Sequence, residues 1–127
     1  MPNANEQLVL DFCQAWSRLD ADAVLAYFAD DAVYHNMPIE PARGHEEIRK
    51  ILDMFLPASQ KVEFEMLHVA SAGDVVFTER VDRFWMGETT IALPVTGVFE
   101  LRDGKIVAWR DYFDLNTWMT QMPGGTP

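Results

Sequence analysis

Basic residues are scarce: ten Lys and Arg stand against twenty Asp and Glu in 127 residues, a formal net charge of -10 at pH 7 with histidine neutral. The summed field of such a chain repels phosphate backbones and anionic lipid surfaces, which argues against nucleic acid and membrane as partners. Long apolar runs are missing as well. The longest, Ala23 to Ala29, has seven residues, where a membrane-crossing helix needs about 20. The amino-terminal Met-Pro-Asn-Ala-Asn-Glu has neither the basic region nor the apolar stretch of a secretory signal, so the expected location is cytoplasmic. Cysteine is reduced to Cys13, which sits among Leu8, Val9, Phe12 and Trp16 and reads as a small buried apolar residue, not a reactive thiol. His35, His45 and His68 match no zinc spacing, and His45-Glu46-Glu47 lacks the second histidine of a metalloprotease helix, so no metal site is expected. Ser17, Ser59 and Ser71 lie outside any nucleophile-elbow sequence, and no glycine-rich phosphate loop occurs; serine acyl transfer and nucleotide binding both lack support.

What is present is ordinary globular composition, 49% hydrophobic and 24% charged, at the length of one compact domain able to bury a core and one sizeable pocket. A single domain over residues 1–127 is expected, with Pro123-Gly124-Gly125-Thr126-Pro127 as a flexible tail. Leu8, Val9, Phe12, Cys13, Trp16 and Leu19 recur at helical spacing and predict a helix from about Glu6 to Leu19, with Asn3 or Asn5 as cap. Val24, Leu25 and Phe28 suggest a second short helix after Asp20 or Asp22, ended by Asp30-Asp31, and Val33 to Asn36 reads as a brief strand. Pro38 and Pro41 make Met37 to Gly44 a loop. Ile48, Ile51, Leu52 and Phe55 then mark a third helix, stopped by Pro57. Strands follow: Val62 to Ala70, Val75 to Met86, Thr89 to Leu101 and Lys105 to Asp114, the last two joined at the hairpin signal Asp103-Gly104. Leu115 to Met122 forms a last helical turn or two. Helices first and a strand meander later is the order of an α+β fold, a largely antiparallel sheet with helices on one face.

Side chains alternate across a strand, so Arg80 and Asp82 share a face, together with Val76 and Phe84. Asp111 shares its face with Val107, Trp109 and Phe113, the one carboxylate in an otherwise apolar row, and such a group is costly unless paired. Tyr34 and Asn36 bring a phenol and a carboxamide to one face of the short strand; both can hold a water. If the three segments line one cavity, its floor contains two carboxylates, an arginine able to bridge them and two neutral hydrogen-bonding groups, the equipment for acid–base attack by water. Alternation leaves open which face is interior, and Arg-x-Asp on a strand is also the pattern of a surface ion pair.

Tyr34-His35-Asn36-Met37-Pro38, Glu79-Arg80-Val81-Asp82, Gly97-Val98-Phe99-Glu100-Leu101 and Trp109-Arg110-Asp111-Tyr112-Phe113-Asp114 together resemble the limonene-1,2-epoxide hydrolase family, over about Asp31 to Leu115. The resemblance implies a cone-shaped, strongly curved mixed sheet with the amino-terminal helices on its concave side, as in nuclear transport factor 2 and ketosteroid isomerase, and a homodimer. It implies hydrolysis of an epoxide to a vicinal diol, in one step and without a cofactor. Asp82, Arg80 and Asp111 match the family's catalytic triad, and Tyr34 and Asn36 match the residues that hold the attacking water with the second aspartate.

The residues suit that chemistry. Epoxide opening needs a proton delivered to oxygen while water loses one; Arg80 between Asp82 and Asp111 stabilises one negative charge and an apolar cavity opposes a second, so the pair keeps a shared proton near neutral pH. With 12% aromatic residues, and Phe84, Trp109 and Phe113 on the proposed faces, a hydrophobic, cyclic or aryl epoxide is the expected substrate. The competing readings are a ketosteroid-isomerase-like or polyketide-cyclase-like proton-transfer enzyme, against which the permanent charge of Arg80 argues, and a non-catalytic small-molecule-binding module.

Overall fold

The computed structural model describes residues 1–122; the segment 123–127, expected to be a flexible tail, lies outside the described residues. Helix α1 (Ala4–Ala15) starts ahead of the expected Glu6 because Asn3 and Glu6 form a capping box: the Asn3 Oδ1 accepts from the Glu6 N–H at 2.8 Å and the Glu6 carboxylate accepts from the Asn3 N–H at 3.2 Å. It does not run on to Leu19. A single 3-10 turn, Trp16–Arg18, follows it and stops where Leu19 takes a left-handed φ of 58°. Helix α2 (Ala21–Leu25), capped by Asp20, ends well before Asp30-Asp31. Those two aspartates lie instead within β1 (Phe28–Asn36), which is longer than the expected Val33–Asn36. Its pairing with β6 shifts between Phe28 and Val33, and this irregularity leaves both acids in solvent, where a strand tolerates them side by side.

Inside the proline-bearing loop is a two-residue strand, β2 (Ala42–Arg43), followed by α3 (Gly44–Phe55), which buries Ile48 and Leu52. The meander is β3 (Lys61–Ala72), β4 (Val75–Met86), β5 (Thr89–Arg102) and β6 (Lys105–Tyr112), and α4 (Leu115–Gln121) ends the described chain. The six strands form one curved, unclosed sheet in the order β2-β1-β6-β5-β4-β3, antiparallel except where β1 runs parallel to β6. Asp103 and Gly104 both take positive φ, 52° and 75°, as the tight β5–β6 hairpin requires.

Two bulges correct the simple alternation. Pairing of β3 with β4 shifts between Met66 and His68, so the inward row passes from Phe64 and Met66 to Val69, and His68 faces solvent. Pairing of β5 with β6 shifts between Glu100 and Leu101, and the inward row of β6 is Ile106, Trp109 and Asp111, with Val107 displaced from it. The inner face carries the core. Phe12 of α1 meets Phe28, Phe99 and Trp109 edge-on at centroid distances of 5.4, 5.9 and 5.0 Å, and Trp16 lies 5.1 Å from Phe64. Such contacts add to the area burial that closes this end of the cone. No described helix is long and apolar enough to cross a membrane.

Candidate active site

The long central strands place one arginine between two acids. Arg80 on β4 is 1% exposed, and Asp82 and Asp111 are 4% and 3% exposed. Nε and Nη2 of Arg80 donate to Oδ1 and Oδ2 of Asp82 at 3.0 and 2.9 Å, while Nη1 and Nη2 donate to Oδ1 and Oδ2 of Asp111 at 3.2 and 2.8 Å. Nη1 also donates to the Thr78 hydroxyl at 3.0 Å. All five guanidinium N–H groups are thereby used, which fixes the fork in one orientation.

Arg80 and Asp111 stand on strands that are not neighbours; β5 runs between them. The guanidinium crosses it because β5 offers no side chain at the crossing: Gly97 pairs with Thr78 on one side and Asp111 on the other. A Cβ at Gly97 would lie 2.5 Å from Arg80 Nη1, 2.7 Å from Asp111 Oδ1 and 2.9 Å from Thr78 Oγ1. Only glycine leaves room for the bridge.

Strand β1 supplies the neutral groups. In its parallel register with β6, Tyr34 lies beside Trp109 and Asn36 beside Asp111. The Tyr34 and Trp109 rings stack at 4.1 Å with 6° between planes, and the Trp109 Nε1 donates to Asp111 Oδ1 at 2.6 Å. A cavity of about 160 Å³ opens over this floor. Its polar lining is Tyr34, Asn36, Asp82 and Asp111; the walls are apolar, from Ile39 in the β1–β2 loop, Ile51, Met54 and Phe55 on α3, Leu93 and Val95 on β5, Phe113 just after β6, and Leu115 and Trp118 on α4.

Of the sequence-predicted residues, Asp82, Arg80 and Asp111 converge, and Tyr34, Asn36 and Phe113 line the cavity with the two aspartates. Phe84 and Trp109 are placed differently: neither is among the lining residues. Phe84 packs behind the wall, 5.7 Å from Trp118 and 6.1 Å from Phe55, and Trp109 is fully buried beneath Tyr34. Sequence reasoning passed over Thr78, and it quoted Gly97 within a motif without giving it a role. Both leave a signal, since Thr78 shares the Arg80 face two residues away and a lone glycine inside a strand marks close approach.

Burial sets the electrostatics. It pushes the Asp111 carboxyl up to about 6 against the opposing pull of Arg80 and the Trp109 N–H, with Asp82 adding to the rise. Arg80 loses solvation too, but Asp111 and Asp82 outweigh that loss and keep it charged. Burial also raises the Tyr34 phenol, which stays neutral and able to donate, and pushes the Cys13 thiol up to about 12. A buried pair of acids around one cation therefore holds its last proton into the near-neutral range and titrates as a unit. Among the described residues no group of three or more His, Cys, Asp or Glu is placed to hold a metal ion.

Comparison with known proteins shows the family and the fold. Residues 3–124 match the family model described as the limonene-1,2-epoxide hydrolase catalytic domain. The epoxide hydrolase EphG of Mycobacterium tuberculosis is 37% identical over 106 residues, covering 82% of this chain and 69% of that one. Among solved structures, an LEH-like epoxide hydrolase of M. tuberculosis superposes with a TM-score of 0.78 at 32% identity, covering 95% of this chain and 90% of the other. A putative SnoaL-like polyketide cyclase from Shewanella putrefaciens reaches a TM-score of 0.83 at only 16% identity, over 95% and 97% of the two chains, a likeness of fold alone.

Proposed function

From a chain that belongs to the limonene-1,2-epoxide hydrolase family, we propose a cofactor-independent opening of a hydrophobic, cyclic or aryl epoxide to a vicinal diol, by direct attack of water. The observation that carries this reading is the pair of buried carboxylates joined through Arg80 at the floor of an apolar cavity. One-step opening needs one acid protonated and one ionised; two equivalent ionised carboxylates could not serve both ends of the reaction.

Asp111 takes the role of base. Asn36 is its cross-strand neighbour and Tyr34 lines the same floor, so a water held by these three groups loses its proton to Asp111 as its oxygen attacks an epoxide carbon. Asp82 delivers its proton to the epoxide oxygen as the ring C–O bond breaks. Arg80 holds both acids at fixed separation and couples them for return of the proton from Asp111 to Asp82 after turnover. The apolar walls select the hydrocarbon part of the substrate and exclude bulk water.

An ester route through an aspartate would need a separate base for its second step, usually histidine. None of the histidines reaches this floor: His35 bonds the Ile39 carbonyl, His45 the Phe28 carbonyl, and His68 pairs with Glu79 in solvent. The isomerase and cyclase alternatives place a base beside a developing enolate, and a guanidinium saturated by two carboxylates offers that enolate no free donor. The deciding experiment is a single turnover of phenyl glycidyl ether or limonene oxide with excess enzyme in heavy-oxygen water. Label in the diol and none in Asp82 or Asp111 is expected; labelled aspartate in a digest overturns direct attack. The homodimer implied by the family has a candidate surface in Leu67, Phe77 and Tyr112, which are 45%, 43% and 45% exposed, and sedimentation at several concentrations tests it.

A further inference from the structure

Arg80 treats its two acids almost alike, gripping each by two N–H groups. Their surroundings differ in one donor. Asp111 Oδ1 also accepts the indole N–H of Trp109 at 2.6 Å, whereas Asp82 has no third donor among the described residues. The same indole stacks on Tyr34 at 4.1 Å and 6°, and on Phe99 at 5.3 Å and 16°, so its plane is clamped from both faces. Trp109 is 0% exposed and is not among the residues that line the cavity.

We propose that Trp109 is a positioning residue, which holds Asp111 in its ionised form facing the water site through its indole N–H and seats the Tyr34 phenol beside it through its ring. The inference rests on the assignment of Asp111 as base. Burial favours a proton on Asp111, where the reaction cannot use it; the N–H stabilises the carboxylate and opposes that placement. The other ionisable groups facing Asp111 are Arg80 and Asp82 from β4, Tyr34 from β1 and Cys13 from α1. Tyr34 and Cys13 are raised by burial and stay neutral, so among the described hydrogen bonds the indole N–H is the donor that Asp111 has and Asp82 lacks.

The test separates the N–H from the ring. Trp109→Phe keeps an aromatic stack and removes the donor; replacing Trp109 by its benzothienyl isostere, sulfur in place of N–H, keeps shape and stacking as well and so remains informative if the phenylalanine variant fails to fold. Loss of one hydrogen bond to a charged group predicts a fall in kcat on the order of tenfold, with KM within about twofold. The alkaline limb of the kcat/KM profile should move up by as much as about one pH unit, because Asp111 then releases its proton less readily. An isostere whose kcat and pH profile superimpose on those of the parent overturns the proposal, and so does a lower kcat with the profile unmoved, the mark of a merely structural role. Asp111→Asn is run alongside: if it stays active, the assignment of the base fails; if it is dead while the isostere behaves as parent, only the role of Trp109 fails.

Discussion

Replacing either carboxylate by its amide separates charge from shape. Asp111→Asn keeps the size of the side chain but cannot take a proton from water, and Asp82→Asn can donate a hydrogen bond but transfers no proton; each should lower kcat on the order of 10²- to 10⁴-fold with KM little changed. Diol formation followed by chromatography checks this, and a tenth of parental activity in either variant removes that residue from the mechanism. The pair also fixes the pH response. The reacting form carries one proton, on Asp82 with Asp111 ionised, so kcat/KM should fall as pH rises past about 6, where the coupled pair gives up its last proton. Stability follows the same sign. The folded state holds the Asp111 proton more tightly than the unfolded chain, where the ordinary value is 3.8; the resulting stabilisation is complete below that value and is lost as pH rises to about 6. Urea titrations across this window should show stability falling as pH rises in the parent and a flatter response in Asp111→Asn.

Strands carry the site, and their legibility from sequence was uneven for physical reasons. Period-two alternation placed Arg80 with Asp82 and Tyr34 with Asn36 correctly, because these are short-range facts of one strand. The Asp103-Gly104 turn was equally readable, since its two positive φ values demand such residues. Bulges at Met66/His68 and near Val107 were not readable, because nothing local distinguishes an extra residue from a regular one. Gly97 needed the register of three strands before its function as a gap was visible. Gly97→Ala therefore tests the sheet as much as the residue: its Cβ must displace the guanidinium, so kcat should drop by about 100-fold or more, with about 1–3 kcal/mol of stability lost to overpacking. Activity at the parental level would mean that the bridge through β5 is dispensable.

Helix α4 is an element of another kind. It has no buried residue and is held by a few specific contacts: the Asp114 carboxylate caps it, accepting from the Thr117 N–H at 3.0 Å, Trp118 rests on Phe55 and Phe84, and Gln121 meets the edge of β5. The Gln121 amide accepts the Ala92 N–H at 2.9 Å and donates to the Ala92 carbonyl at 2.8 Å, completing a stretch of β5 that extends beyond its pairing with β6. Since Leu115 and Trp118 line the cavity, loosening α4 should weaken substrate binding and leave the triad intact. Gln121→Ala is expected to raise KM a few-fold with kcat within about twofold, and to speed amide exchange over residues 115–122.

Across the whole molecule, charge and cavity act in the same direction on the choice of substrate. A net charge of -10 makes the field around the chain repel anions. The cavity then offers apolar walls and a floor of one cation between two acids, with every guanidinium N–H already engaged, so an anionic group entering it finds no free positive partner. These are two separable effects. Repulsion by the distant field is screened within about 10 Å at 0.1 M salt, whereas the desolvation of a charge against Ile51, Met54 and Leu93 is not. Phenyl glycidyl ether and its para-carboxylate present the same epoxide with and without a charge. The neutral compound should be preferred in kcat/KM by about 100-fold or more at low salt, and added salt should narrow the gap only in part, leaving the share due to the apolar wall. A gap that closes completely on raising ionic strength would assign the selectivity to the surface field alone and deny the cavity its part in it.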